Sequence, residues 1–227
     1  MRPARLRPDA IVWDLDGTLV DSAADLAAAL NQMLAAYGFA GLPVSKVRRM
    51  IGDGISKLLE RGFRAAGLPL SPGQFEDLVP AFNTLYTTCA THQTCAYPGI
   101  PGVLEQLCEM GIPMGVCSNK PEALSRQIIE GLGLSDFFNS VVGGDTTKAK
   151  KPDPLPLQTC LRELDARVET SLFIGDSSVD IKAARAAGVP VFIVPWGYTH
   201  VAVTELDADF ILERLDELPG IVLGQAV

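Results

Sequence analysis

Histidine is almost missing from this chain: His92 and His200 are the only two in 227 residues. A Ser-His-Asp or Cys-His mechanism therefore has little to work with. The five cysteines, at positions 89, 95, 108, 117 and 160, are an odd count with no C-x-x-C spacing. That argues against a zinc site and against a disulfide framework. Cys108, Cys117 and Cys160 lie inside apolar stretches and read as small core residues, which suits a reducing cytosol. Positive charge is also short, with 19 Lys and Arg against 27 Asp and Glu and a formal net charge of −8. A nucleic-acid footprint would be basic, and an anionic membrane surface would repel this chain. No apolar run approaches the length of a membrane span. The opening stretch, Met1 to Asp9, is basic but has no apolar centre, so it does not read as a secretory signal.

What the chain does have is ordinary globular composition, 48% hydrophobic and 20% charged, at a length that buries a sizeable core. Ala10-Ile11-Val12-Trp13 reads as a short buried strand. It runs into Asp14-Leu15-Asp16-Gly17-Thr18. Alternate side chains of an extended backbone point the same way, so Asp14 and Asp16 face one space at the strand's end. Two buried anions that close repel each other unless a cation or a proton intervenes. Stability gains nothing from the pair, which favours chemistry, but these five residues alone read equally well as an Asp-Gly turn with a second Asp nearby, and the rest of the chain decides between them.

Helical patterns follow over Ala23 to Tyr37, Ser45 to Met50, Ile55 to Ala66 and Gly73 to Thr91, with Ser22 placed to cap the first. Gly52-Asp53-Gly54 and Gly67-Leu68-Pro69 break them. From Tyr97-Pro98-Gly99 onward, helices alternate with apolar runs at Ile112 to Cys117, Ser140 to Val142, Ser171 to Ile174, Pro190 to Val194 and Phe210 to Leu212. This alternation predicts an α/β fold with a parallel sheet covered on both faces. The long helical gap after the first strand exceeds any normal crossover. It predicts a helical domain over residues 22–96, inserted into a Rossmann-like core made of residues 1–21 and 97–227.

Sites in open α/β sheets form beyond the carboxyl ends of the strands. Four polar clusters fall there: Asp14 and Asp16; Ser118-Asn119-Lys120; Lys148, Lys150 and Lys151; and Asp176 through Asp180. Each alone reads as well as a turn, a cap or a solvated loop, but all four meet on one rim. Several carboxylates without histidine suit a hard, oxygen-bound cation, most simply Mg²⁺. A lysine and a hydroxyl can neutralise the remaining oxygens of a phosphoryl group. One Asp is then free to attack phosphorus, and another two residues on can protonate the leaving oxygen and later activate water.

These clusters resemble the four ordered motifs of the haloacid dehalogenase (HAD) superfamily: Asp14-Leu15-Asp16-Gly17-Thr18-Leu19-Val20-Asp21-Ser22, Cys117-Ser118-Asn119-Lys120, Lys151-Pro152-Asp153-Pro154 and Gly175-Asp176-Ser177-Ser178-Val179-Asp180. The resemblance covers nearly the whole chain. It implies a HAD-like core with a helical cap, Asp14 as nucleophile and Asp16 as general acid/base. It further implies that Ser118 and Lys151 hold the phosphoryl group. Mg²⁺ would sit on Asp14, Asp176 and the backbone carbonyl of Asp16, with Asp180 orienting that shell. Thr18 and Asn119 are expected near the substrate. Expelling halide needs no proton, so Asp16 favours phosphate ester hydrolysis over dehalogenation.

Within the superfamily the chain is most similar to bacterial phosphoglycolate phosphatases, through Met50-Ile51-Gly52-Asp53-Gly54, Val142-Gly143-Gly144-Asp145-Thr146 and Trp196-Gly197-Tyr198. Val179 departs from their usual Asn. The implied substrate is a small phosphorylated metabolite, 2-phosphoglycolate. Gly52, Asp53 and Gly54 could then form an anion-binding concavity, with Arg61 or Lys57 adding charge. The alternatives are the same chemistry on a sugar phosphate, nucleotide or pyrophosphate, or a non-catalytic binding module. With the cysteine usage and the acidic charge, the expectation is a cytoplasmic monomer or homodimer with no nucleic-acid or membrane partner.

Overall fold

The computed structural model describes residues 7–68, 71–199 and 201–224. Pro69 and His200, both singled out in the sequence, lie outside them. Six parallel strands form one sheet in the order β5-β4-β1-β6-β7-β8. They are β1 (Ile11–Trp13), β4 (Met114–Cys117), β5 (Ser140–Val142), β6 (Leu172–Gly175), β7 (Val191–Ile193) and β8 (Phe210–Ile211). The expected α/β architecture is therefore present. From β1 the chain builds outward through β4 and β5, then returns to build the other way from β6. This reversal places a crevice over the carboxyl end of β1, where open sheets bind their ligands.

Period-two alternation divides β1 between the two faces. Ile11 and Trp13 join one apolar cluster, and Ala10 and Val12 join another with Leu157, Cys160 and Phe173. Helices α5 (Ile100–Glu109), α6 (Glu122–Gly131), α7 (Leu155–Glu163) and α8 (Ser178–Ala187) cover these faces, and α9 (Leu218–Val222) packs on α5. Two expected boundaries shift for local reasons. Strand β4 starts at Met114 and not Ile112, because Pro113 has no N–H for a sheet ladder. Helix α5 begins at Ile100, ahead of the helical spacing that the sequence shows over Val103 to Met110, because Gly99 at φ 88° turns the chain and Pro101 fits the first turn. Cys117 and Cys160 are buried as expected, but Cys108 is exposed, on the solvent side of amphipathic α5.

The helical insertion leaves through β2 (Val20–Asp21) and returns through β3 (Cys95–Ala96), which pair antiparallel. Between them lie α1 (Ala23–Ala36), α2 (Val44–Arg48), α3 (Ile55–Ala65) and α4 (Pro72–Thr87). The buried Asp25 of α1 ties the return segment down. Its carboxylate accepts bonds from the Gln93 amide at 2.9 Å, the Thr94 amide at 2.8 Å and the Thr94 hydroxyl at 2.7 Å. Leu26, Leu30, Phe63, Phe82 and Tyr86 fill the interior of the insertion. They are continuous with the Trp13 face of the sheet, so the helices share the core of the sheet and do not close off their own. Among the described residues no helix is long and apolar enough to cross a membrane.

Candidate active site

Asp14 emerges from β1 into the crevice. Its Oδ1 accepts from the Leu15 amide at 2.8 Å and from Lys151 Nζ at 2.8 Å. Asp176 follows β6, and one of its oxygens, Oδ2, accepts from the Tyr198 amide at 2.5 Å. Asp180, in the first turn of α8, is fully engaged. Its Oδ1 takes Lys151 Nζ at 2.7 Å, and its Oδ2 takes the Ser177 amide at 3.0 Å, the Ser177 hydroxyl at 2.7 Å and the Asp176 amide at 3.2 Å. This reciprocal cap explains why a carboxylate stands at that position of the helix.

Lys151 lies between Asp14 and Asp180, buried with both. Burial alone would depress its ammonium, but the two carboxylates outweigh that and raise it. One lysine does not balance three carboxylates. Burial first, helped by Asp180 and Asp16, pushes the Asp14 carboxyl up to about 7 against the pull of Lys151. Burial, with Asp180 and Asp14, pushes Asp176 well above the carboxylate range too. Oxygens of Asp14, Asp176 and Asp180 all lie within 4.8 Å of one another. Among the described residues Asp14 Oδ2 and Asp176 Oδ1 accept no protein hydrogen bond. The surplus of charge and the two free oxygens fit a hard divalent cation, held by Asp14 and Asp176 while Asp180 keeps Lys151 in place.

Two backbones close against Asp176. A Cβ on Gly17, where φ is 86°, would fall 2.5 Å from Asp176 Oδ2, and one on Gly197 would fall 2.2 Å from Asp176 Cβ. Gly197→Ala is accordingly expected to displace Asp176, destabilise the fold by about 1–3 kcal/mol and reduce turnover. Urea unfolding alongside a phosphate-release assay checks both effects, and unchanged stability would show that the loop yields.

The remaining sequence-derived residues fall on the same rim with unequal roles. Ser118 is buried at the end of β4. The Asn119 side-chain amide donates to the Lys151 carbonyl at 3.0 Å and to the Gly52 carbonyl at 3.2 Å, which joins two core motifs to the helical insertion. Its Oδ1 is buried without a partner. Thr18 is fully buried and its hydroxyl has no protein partner. Ser22 stands at the start of α1, but its hydroxyl does not cap the helix. It donates to Asp16 instead. Arg61 binds the Asp53 carboxylate and the Met50 carbonyl. Lys57 is exposed and pairs with Glu60 at 2.7 Å, away from the site. Val179 lines a cavity of about 340 Å³ that also meets Arg49, Arg61, Asp53 and Tyr198.

Three residues that the motif analysis left without a role prove to be part of the site. Lys120 pairs with Asp16 at 2.7 Å and is almost wholly buried. Tyr86 of α4 meets that ammonium at 2.8 Å. The Tyr198 hydroxyl donates to Asp21 at 2.9 Å and accepts from the Ser22 amide at 2.8 Å, beside the Arg48–Asp21 ion pair. Lys120 and Tyr198 were visible inside motifs. Nothing local marks Tyr86, because its position depends on how α4 packs.

A sequence model described as haloacid dehalogenase-like hydrolase matches residues 11–194. A phosphoglycolate phosphatase of Rhodospirillum rubrum is 41% identical over 205 residues, covering 88% of this chain and 85% of that protein. One from Caulobacter vibrioides is 40% identical over 209 residues, covering 92% and 88%. The crystal structure of a predicted phosphoglycolate phosphatase from Haemophilus somnus superposes with a TM-score of 0.87 at 27% identity, covering 96% of this chain and 99% of that one. The aspartates and the lysine at the switch point, the parallel sheet and these likenesses agree, and the chain belongs to the haloacid dehalogenase-like hydrolases.

Proposed function

We propose that this protein is a Mg²⁺-dependent phosphatase that hydrolyses 2-phosphoglycolate to glycolate and phosphate. The observation that carries the reading is the placement of Asp14. It has one oxygen held by Lys151 and the Leu15 amide and the other free of protein partners, next to Asp16 and Asp176. The Asp14 carboxylate is the nucleophile and forms an aspartyl-phosphate. Lys151 neutralises charge on the phosphoryl oxygens, and the Ser118 hydroxyl donates to them. Asp16 protonates the bridging oxygen as it leaves and then takes a proton from the attacking water. A cation on Asp14 and Asp176 would lower the repulsion between an anionic nucleophile and an anionic ester.

In this reading, residues 22–96 form a cap over the core of residues 1–21 and 97–227, and the cap excludes water during transfer. The substrate reading draws on the names of the relatives from Rhodospirillum rubrum and Caulobacter vibrioides. It also draws on the loop Gly52-Asp53-Gly54, whose three amides meet no protein acceptor among the described residues. With Gly52 at φ 119° and Gly54 at φ 87°, that loop can turn its amides toward an anion. Five free thiols, two of them buried, suit the cytoplasm.

Phosphate release from a panel of phosphorylated metabolites with Mg²⁺ tests this. The expected result is a kcat/KM for 2-phosphoglycolate at least tenfold above sugar phosphates, nucleotides and pyrophosphate. A flat profile would keep the chemistry and discard the substrate. Silence on every compound would favour a binding module.

A further inference from the structure

The buried Lys120 ammonium has one donor to spare. An ammonium carries three N–H groups. Asp16 Oδ1 accepts one at 2.7 Å and the Tyr86 hydroxyl accepts another at 2.8 Å. The Tyr86 ring lies beneath the charge, 4.7 Å from Nζ to its centroid. Among the described residues Nζ meets no third acceptor. Lys120 also forms a wall of a cavity shared with Asp16, Gly52 and Gly54 and closed by apolar side chains of α1 and α3. The cavity measures about 30 Å³, the scale of a single water.

We infer that Lys120 is the residue that recognises the carboxylate of the substrate, and so sets specificity for a short phosphorylated acid. This rests on the 2-phosphoglycolate reading above. In that substrate a single methylene separates the carboxylate from the bridging oxygen that Asp16 protonates. A cation that reads the carboxylate must therefore stand beside Asp16, and Lys120 touches it. Arg61, the cationic residue expected from the sequence for this task, is bound to Asp53 and borders the other, larger cavity. Its place is that of a brace for the Gly52–Gly54 loop. The apolar closure strengthens recognition, because a charge contact away from water is screened little.

Lys120 also has a simpler role, balancing the charge of Asp16, and the two roles separate cleanly. Loss of charge balance harms every ester alike, whereas loss of carboxylate recognition harms only substrates that carry one. The experiment compares kcat/KM for 2-phosphoglycolate and for ethyl phosphate, which is similar in size but has no carboxylate. It uses the full chain with Mg²⁺, as wild type, Lys120→Met and Arg61→Ala. The wild type is expected to favour 2-phosphoglycolate. Lys120→Met should cut that ratio by roughly 10- to 100-fold, the scale of a hydrogen bond between charged groups, mainly through KM, while Arg61→Ala should leave most of it. Should thermal melting show that Lys120→Met does not fold, Lys120→Gln, which keeps hydrogen bonds to Asp16 and Tyr86 without the charge, is read in the same way. An unchanged ratio in the neutral variant, or a collapse in Arg61→Ala instead, overturns the inference alone. A wild type with no preference overturns the substrate reading and the inference with it.

Discussion

Asp14→Asn is expected to abolish turnover, by on the order of 10³-fold or more, while the protein stays folded. The amide is nearly isosteric with the carboxylate, and its oxygen can still accept from the Leu15 amide. It cannot attack phosphorus as an anion. Stability should change little, because two effects oppose. The variant loses the charge of the 2.8 Å pair with Lys151, and it also loses the cost of burying that charge and the repulsion from Asp180 and Asp16. Lys151 keeps its 2.7 Å partner in Asp180 and is not left uncompensated. Phosphate release and thermal melting, run together, check this. Activity retained in a folded Asp14→Asn would sink the assignment of the nucleophile. Lost activity in an unfolded one would say nothing of chemistry, so the melt is part of the measurement.

Chelation by EDTA should silence the enzyme and excess Mg²⁺ should restore it, and the same ion should stabilise the fold more at pH 8 than at pH 5. The sign follows from Asp14. Its carboxyl is raised in the folded protein to about 7 from an ordinary 3.8, so in the metal-free protein the folded state favours the proton. That contribution to stability is fully present below 3.8 and is lost as pH climbs toward 7. Asp176 is raised in the same direction by the same crowding. A cation on the two carboxylates offsets both causes of that loss, the burial of the charge first and the repulsion between neighbours second. Its benefit is therefore largest where both are ionised. The expected increase in Tm with Mg²⁺ is roughly 5 °C or more at pH 8 and clearly smaller at pH 5. Full activity in EDTA would take the metal out of the mechanism. A Tm increase that is equal at both pH values would show that the ion binds elsewhere.

Much of the catalytic rim was legible in the chain. Each of its residues follows a short apolar strand, and a parallel sheet brings the carboxyl ends of its strands to one edge. Asp14, Ser118, Lys151 and Asp176 needed only that rule and their motif order. The helical insertion was legible because the distance from β1 to β4 is too long for a crossover. Other features depended on packing. Thr18 reads as a site residue from its place in the motif, and only the turn after β1 shows that its side chain is wholly buried. Ser22 reads as a helix cap, yet its side chain turns to donate to Asp16 and its oxygen accepts from no helix amide. Cys108 reads as core from its apolar neighbours, yet the helical period places it outside.

The sequence by itself determined the fold class, the catalytic motifs and the chemistry they support. The fold class follows from local patterns, period-two strands and helical spacing, whereas the motifs and their chemistry follow from four polar clusters in order at strand ends and from their resemblance to the superfamily. The tertiary structure alone decided which charges meet. Lys120 and Asp16 are 104 positions apart, and Lys120 and Tyr86 are 34 apart. No local period encodes those distances. Arg61 and Lys57 looked equally available for an anion until Asp53 and Glu60 proved to hold them. Partnering among buried charges depends on which helix lies over which strand. Burial removes water as the alternative partner, so in this site the approach of Tyr86 to Lys120 and of Asp53 to Arg61 decides which charges are paired and which donor is left over.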